Sequence, residues 1–273
     1  MHLVSRILTL LFDGLLLPFG SHRLVALLVL SVVSGAAFAI LFKATSNQDG
    51  IRRARDVFKA RVLEMRIYPD DIVQITRALL GALASQGTYL RVALKPILIV
   101  LVVALPVFIQ IEARFAHAPL RAGDRTLVTA TLKEGLDPVK VPSALTASTS
   151  IDAEPESVRI PATREVVWRA GILDAGTGNV TVTVYDRPYT IPVALERNTS
   201  VIGTRRAAHG FADALLHPGL PVIPADSPIA HLRIAYPEAT YRLAGTTMNW
   251  LVVFLIGSFV GALLPAWILR IQL

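Results

Sequence analysis

Three long stretches of the chain carry apolar side chains and no charge: residues 24–42, 96–111 and 243–269. An α-helix rises about 1.5 Å per residue, so roughly 20 residues are needed to cross the hydrocarbon core of a bilayer. The first and third stretches meet this length, and the second, at about 24 Å, is short. We therefore predict an α-helical integral membrane protein with spans at residues 24–42, 94–111 and 246–269.

The composition excludes several other classes of protein. Hydrophobic residues make up 53% of the 273 residues and charged residues 17%, so neither a disordered polyelectrolyte nor an ordinary soluble domain fits. The chain has no cysteine, which excludes disulfides, cysteine-ligated zinc, iron–sulfur clusters and thiol catalysis. We predict no cofactor and no metal site, because the six histidines show no paired ligand spacing.

The net charge of +7 is concentrated between the first two spans. Residues 43–95 carry ten Lys or Arg against five Asp or Glu, whereas residues 112–247 carry fourteen of each. Short basic loops beside a span stay in the cytoplasm, whereas long segments are translocated whatever their charge. We therefore predict that residues 44–93 and the C-terminus are cytoplasmic. Residues 113–244 and the N-terminus would lie outside the inner (plasma) membrane, and the local basic excess does not indicate DNA binding.

Residues 1–20 are predicted to form an amphipathic helix in the outer membrane interface, ended by Pro18 and Gly20. Its apolar side chains recur at helical spacing: Leu3, Ile7, Leu10, Leu11 and Leu15. Asp13 interrupts the apolar run and no small-residue cleavage site follows, which argues against a signal peptide. A short fourth crossing by residues 3–18 is the alternative.

The segment 44–93 shows the pattern of a helical hairpin. In its first helix, apolar side chains at steps of three and four residues form one face: Ile51, Ala54, Phe58, Val62 and Met65. Pro69 ends this helix, because proline disfavours helix in the residue before it. The second helix presents an apolar face until Gly87 weakens it: Ile72, Ile75, Leu79 and Leu83. We expect the helices to pack along these faces and to project about 25 Å from the membrane.

Basic side chains cover the other faces of the first hairpin helix: Arg52, Arg53, Arg55, Lys59, Arg61 and Arg66. One interpretation is that these residues hold the loop in the cytoplasm and are attracted to anionic lipid headgroups. This attraction is worth about 1 kcal/mol for each residue near the surface. The other is a cytoplasmic docking surface for an anionic partner, such as ribosomal RNA or an acidic nascent chain.

Residues 113–244 are predicted to form an external, all-β domain. Short runs rich in Val, Thr, Ile and aromatic residues predict strands at 125–132, 157–160, 165–169, 179–185 and 189–195. Such a set of strands is typical of a small immunoglobulin-like sandwich, with Trp168 as a candidate core residue. Three further elements are expected: a hairpin turn at 174–178, a helix at 205–216 and a strand over 229–243.

Polar side chains inside the spans are candidates for function, because the hydrocarbon core disfavours them. The substrate-path candidates are Ser31, Ser34, Gln110, Asn249 and Ser258. Helix packing is the alternative, since residues 34–37 and the Gly257-x-x-x-Gly261 motif are small-residue surfaces that let helices approach closely. No catalytic motif is present, so no catalytic residue is predicted and a membrane-tethered enzyme is the least favoured class of function.

The order of these elements resembles the YidC/Oxa superfamily of membrane-protein insertases. Residues 55–65, Pro69-Asp70-Asp71 and residues 75–83 resemble the coiled-coil hairpin of that family. Leu105-Pro106-Val107-Phe108 resembles part of the span that follows the hairpin. Two features depart from the family: the span at 24–42 contains no arginine, and the family core has no external β domain of this size.

The resemblance implies an insertase-like or chaperone protein that assists the insertion and assembly of other membrane proteins without an energy source. The expected partners are membrane lipids, nascent or partner membrane proteins and, at the hairpin, the ribosome. The alternative is a non-catalytic, membrane-anchored subunit of a larger envelope complex, in which the β domain binds a partner.

Overall fold

About half of the chain is helical, and the rest is mainly β structure. The computed structural model describes residues 2–67, 71–174, 178–195, 200–206, 220 and 223–269. The helices are α1 (His2–Leu16, followed by a 3-10 turn at Leu17–Phe19), α2 (Arg23–Thr45), α3 (Gln48–Ile67), α4 (Ile72–Phe115) and α5 (Trp250–Ile268). Helices α2, α4 and α5 are long and apolar enough to cross a membrane. The fold therefore fits a membrane protein with a β domain.

The N-terminal segment is helical, as the sequence predicts. Four side chains of the predicted apolar face are exposed, namely Ile7, Leu10, Leu11 and Leu15, whereas Phe12 and Leu16 are buried. An exposed apolar face on one side of a helix suits contact with lipid. Both an interfacial helix and a short crossing are compatible with this arrangement.

Helix α4 is longer than the sequence suggests. The expected weakening near Gly87 does not end a helix, because the second hairpin helix and the second apolar stretch form one element of 44 residues. A glycine inside a helix costs only about 1 kcal/mol relative to alanine, which neighbouring turns readily offset. The helix also contains Pro96 and Pro106. Since each residue adds about 1.5 Å, α4 extends over roughly 66 Å.

The predicted hairpin faces are partly wrong. Ile51 and Ala54 of α3 are buried as expected, but Val62 is 41% exposed. Within residues 72–85 of α4 the buried residues are Ala78, Ala82 and Ser85, whereas three of the four predicted residues are exposed: Ile72, Leu79 and Leu83. The small side chains of α4 therefore occupy the buried positions in this segment, and the larger leucines lie on an exposed face.

The described residues of the β region form ten strands. They are β1 (Arg125–Leu132), β2 (Ser143–Ala147), β3 (Ile151–Ile160), β4 (Glu165–Ile172), β5 (Gly178–Val184), β6 (Arg187–Val193), β7 (Arg205–Arg206), β8 (Ile229–Ile234), β9 (Thr240–Leu243) and β10 (Thr246–Asn249). One antiparallel sheet has the order β3-β4-β1-β8-β7, a second has the order β2-β5-β6, and β9 and β10 form a hairpin.

The two larger sheets contribute to a single hydrophobic core. Trp168 on β4 is buried in it, as predicted, and Val180, Val182 and Val184 on β5 are buried in alternation with more exposed threonines. Alternation of this kind is the signature of a strand with one buried face. The five predicted strand runs all coincide with strands, although the run at 157–160 is only the second half of β3.

Two of the expected elements differ in the structure. Residues 205–206 of the expected helix at 205–216 form strand β7, and residues 207–216 lie outside the described residues. The expected strand over 229–243 is divided into β8 and β9. The expected turn at 174–178 falls largely on residues 175–177, which also lie outside the described residues.

The chain divides into two compact units. Residues 1–27 and 108–253 form the first, which contains the β domain and is named the β unit. Residues 28–107 and 254–273 form the second, named the helical unit. Helices α2, α4 and α5 each contribute residues to both units.

Candidate functional site

The C-terminal end of α4 holds a fully buried arginine, Arg114. Its guanidinium donates a hydrogen bond to Oδ1 of Asp13 on α1 at 2.6 Å, which is also an ion pair, and to the carbonyl of Thr9 at 3.1 Å. It also donates to the side-chain oxygen of Gln110, one helical turn earlier, and lies 5.6 Å from the ring centroid of Phe12. A buried charge is tolerated only when it is paired and hydrogen-bonded, so these contacts fix α1 against α4.

A second arginine, Arg23 at the start of α2, contacts the same end of α4. It donates hydrogen bonds to the carbonyls of Arg114 and His117, the latter at 2.8 Å. The hydroxyl of Tyr241 on β9 donates to the carbonyl of Phe115 at 2.9 Å. Carbonyls at the end of a helix have no partner within the helix, and these side chains satisfy them. We name this cluster the arginine junction: Thr9, Asp13, Arg23, Gln110, Arg114 and Tyr241.

Burial sets the protonation of Tyr241 in the arginine junction and of His117, whose carbonyl accepts a hydrogen bond from Arg23. It raises the pKa of Tyr241, against the opposing effect of Arg23. It lowers the pKa of the His117 imidazole, while Glu112 and Glu238 oppose this shift and Arg23 adds to it. At neutral pH Tyr241 is therefore protonated and His117 is uncharged.

Most of this cluster is not predicted from the sequence. Gln110 is predicted as a path candidate, and Asp13 is predicted only as an interruption of an apolar run. Gln110 and Arg114 lie four residues apart at the end of an apolar helix, and such spacing puts both on one helix face. An acid in one apolar helix and a base in another is the signal that could have suggested the pair.

The other path candidates lie in two places. Asn249 of the β unit is exposed, and its side-chain oxygen accepts a hydrogen bond from the amide of Val252 at 3.0 Å, which caps α5. In the helical unit, Ser31 and Ser34 on α2 are buried, and the hydroxyl of Ser258 on α5 donates to the carbonyl of Leu255 at 3.1 Å.

Helices α2 and α5 pack closely within the helical unit. A Cβ atom added to Gly35 would lie 1.9 Å from the carbonyl oxygen of Ser258, and one added to Gly261 would lie 2.1 Å from that of Val32. A Cβ atom added to Gly257 would lie 2.6 Å from Cβ of Ser31. Only glycine allows backbones to approach this closely. The small residues therefore have a packing role here.

Most of the basic docking candidates on α3 are exposed to solvent. Arg52, Arg53, Lys59 and Arg66 are exposed, whereas Arg55 and Arg61 are half-buried. Arg61 pairs with Glu64 at 2.8 Å and lies over Gly81 of α4. Across the part of the chain that the structure describes, no cluster of His, Asp or Glu could hold a metal ion.

A line of exposed leucines follows one side of α4. It consists of Leu79, Leu83, Leu90, Leu94, Leu98, Leu101 and Leu105, and we name it the leucine stripe. Each of these side chains is between 48% and 61% exposed. With about 100° of rotation per residue, all seven fall within an arc of roughly 100°. Exposure is expected within the predicted span 94–111, but Leu79, Leu83 and Leu90 precede it.

Comparison of the chain with family models, with curated proteins and with solved structures gave no match. The resemblance to the YidC/Oxa superfamily therefore stays a prediction.

Proposed function

We propose that this protein assists the insertion or assembly of other membrane proteins, with the leucine stripe as the surface that receives their apolar segments. The single observation that supports this function is the continuity of the stripe along an unbroken helix. Large exposed apolar surfaces on a protein usually mark an interaction site. A client segment in contact with Leu83 could move along the same helix face toward Leu98 without leaving an apolar surface.

The charges of the hairpin suit the same role. In this proposal residues 44–93 are cytoplasmic, and exposed Arg52, Arg53, Lys59 and Arg66 on α3 would attract anionic lipid headgroups or an acidic partner. Such attraction raises the rate of encounter, whereas apolar contact supplies the affinity. No ATP is needed, because burial of the client segment in lipid is itself favourable.

The arginine junction has a different role in this proposal. The Arg114 guanidinium is engaged by Asp13, Gln110 and Thr9, so these groups are not free to guide a polar client segment. We assign them to holding α1 against the end of α4. This assignment removes Gln110 from the proposed path and leaves the leucine stripe as its main element.

Site-specific photocrosslinking in cells tests the function. A photoreactive residue is placed at Leu83 or Leu90 on the stripe and, as a matched control, at Thr88, which is exposed on a different face of the same helix. We expect Leu83 and Leu90 to crosslink to many different membrane proteins during their synthesis, and Thr88 to give few crosslinks.

Two results would contradict the proposal. Crosslinks from Leu83 to lipid alone would exclude a client surface. Crosslinks to one protein in fixed stoichiometry would favour the alternative, a non-catalytic subunit of a larger envelope complex.

A further inference from the structure

A cavity of about 670 Å³ lies beside the first residues of α2. Its walls come from residues 21–25, from the segment that follows α4 and from residues 237–242, all of which belong to the β unit. This volume is in the usual range for small-molecule and cofactor sites. Arg23 and Tyr241 of the arginine junction line this cavity, but no role proposed above uses the open space itself.

The position of the cavity suggests which molecules can reach it. Arg23 is the first residue of α2, a helix long and apolar enough to span a membrane, and Leu24 and Val25 line the cavity. The end of a span is the level at which hydrocarbon meets lipid headgroups. A headgroup could enter this cavity while the start of its acyl chains lies beside Leu24 and Val25.

The walls carry charges of both signs. Arg23, Arg121 and Arg242 contribute positive charge, and Asp124 and Glu238 contribute negative charge. Arg121, Arg242 and Glu238 are exposed, and within the described ranges none of them has an ion-pair partner. One carboxylate oxygen of Asp124 accepts a hydrogen bond from the amide of Arg121 at 2.8 Å, which leaves its other oxygen available.

We propose that this cavity binds the zwitterionic headgroup of a phosphatidylethanolamine-type lipid. Arg121 and Arg242 would contact the phosphate, since guanidinium groups bind phosphate oxygens through charge-assisted hydrogen bonds. Glu238 and Asp124 would accept hydrogen bonds from the primary ammonium, which offers three N–H donors. A choline headgroup has no N–H donor, and a glycerol headgroup has no positive charge, so the cavity discriminates against both.

Lipid retention by the purified full-length chain tests this site. The protein is stripped of lipid in detergent and offered phosphatidylethanolamine, phosphatidylcholine and phosphatidylglycerol in equal amounts with identical acyl chains. Retained lipid is then measured by native mass spectrometry. We expect phosphatidylethanolamine to be retained about tenfold over the other two, because charge-assisted hydrogen bonds of the ammonium are specific to it.

Variants of the exposed wall residues test the contacts with the phosphate and with the ammonium independently. The double variant Arg121→Gln, Arg242→Gln should retain about tenfold less phosphatidylethanolamine. Glu238→Gln should abolish the preference over phosphatidylcholine while phosphate binding persists. Arg125→Gln is the matched control, because Arg125 is exposed on the same domain but does not line the cavity. We expect it to behave as the native chain does.

Several outcomes would overturn the proposal. Equal retention of the three lipids by the native chain would exclude recognition of the ammonium. Unchanged retention in the double arginine variant would exclude the phosphate contact. Free phosphoethanolamine that displaces the lipid at equal concentration would show that the cavity takes a soluble phosphate ester and not a membrane lipid.

Discussion

At the scale of single residues, Arg114 carries the most consequential contacts of the β unit. Its side chain is fully buried, whereas that of its partner Asp13 is 46% exposed. Loss of the acid would leave a buried guanidinium with only neutral partners. This loss lowers the free energy of unfolding, because the Arg114 guanidinium cannot be hydrated unless the contact between α1 and α4 opens.

We therefore expect Asp13→Ala to lower the stability of the protein in detergent by about 2 kcal/mol. The matched control is Asp56→Ala, which removes an exposed helical carboxylate with no ion-pair partner among the described residues. Thermal unfolding followed by circular dichroism measures both variants. An equal Tm for the two variants would contradict a structural role for the Asp13–Arg114 pair.

His117 should make the arginine junction sensitive to acid. Burial lowers the pKa of its imidazole below the ordinary value of 6.5, so the unfolded chain takes up a proton first as the pH falls. The contribution of His117 to the stability of the folded chain is therefore fully present above pH 6.5 and is lost as the pH falls below that value. We expect the Tm to fall between about pH 7.5 and pH 5.5 by less in His117→Gln than in the native chain. An identical fall would contradict this contribution.

Local sequence patterns predict the burial of some residues, but they do not predict contacts between residues far apart in the chain. The burial of Trp168 and of alternate valines on β5 follows from neighbours along one strand, so a short window of sequence is sufficient. Asp13 and Arg114 are 101 residues apart, and no local pattern connects them. Their pairing depends on tertiary structure, which explains why the sequence analysis treated Asp13 as an interruption.

At the scale of elements, the contact between α2 and α5 depends on glycine. Gly35→Ala would place a Cβ atom 1.9 Å from the carbonyl oxygen of Ser258, so the helices must separate. We expect a loss of about 2 kcal/mol or more in detergent. Gly87→Ala is the control, because nothing lies within 4 Å of its added Cβ. It should leave stability unchanged or raise it slightly through helix propensity. Comparable losses in both variants would contradict close packing at Gly35.

The leucine stripe can be tested without disturbing the fold, since its side chains are exposed. We expect the double variant Leu83→Asp, Leu90→Asp to reduce client crosslinks from a probe at Leu94 by about tenfold, because burial of a leucine is worth roughly 1.5–3 kcal/mol. Thr88→Asp adds a charge on another face of α4 and should leave those crosslinks unchanged. An equal reduction in both variants would indicate an effect of charge alone.

Helix α4 shows where sequence reasoning about elements fails. The apolar periodicity correctly predicts helix on both sides of residues 68–70, but the weakening expected at Gly87 does not interrupt α4. The same periodicity predicts Leu79 and Leu83 in the contact with α3, whereas Ala78 and Ala82 are buried instead. Periodicity identifies an apolar face, but it does not decide whether another helix or a ligand covers it.

At the scale of the whole molecule, the proposed client capture depends on the predicted topology of three crossings, in which the segment 44–93 is expected to be cytoplasmic. The lengths and hydropathy of α2, α4 and α5 support the crossings. The direction of insertion is inferred from the ten basic residues in the segment 43–95. Client capture by the leucine stripe needs the hairpin inside the cell.

Cysteine labelling of intact cells is the most direct test, and the chain contains no native cysteine to interfere. One variant carries Val158→Cys, a 64% exposed position on β3, and the other carries Asp56→Cys, an exposed position on α3. With a membrane-impermeant maleimide, we expect Val158→Cys to react in intact cells and Asp56→Cys to react only after permeabilisation. Reaction of Asp56→Cys in intact cells would contradict the topology and, with it, the proposed capture of clients from the cytoplasm.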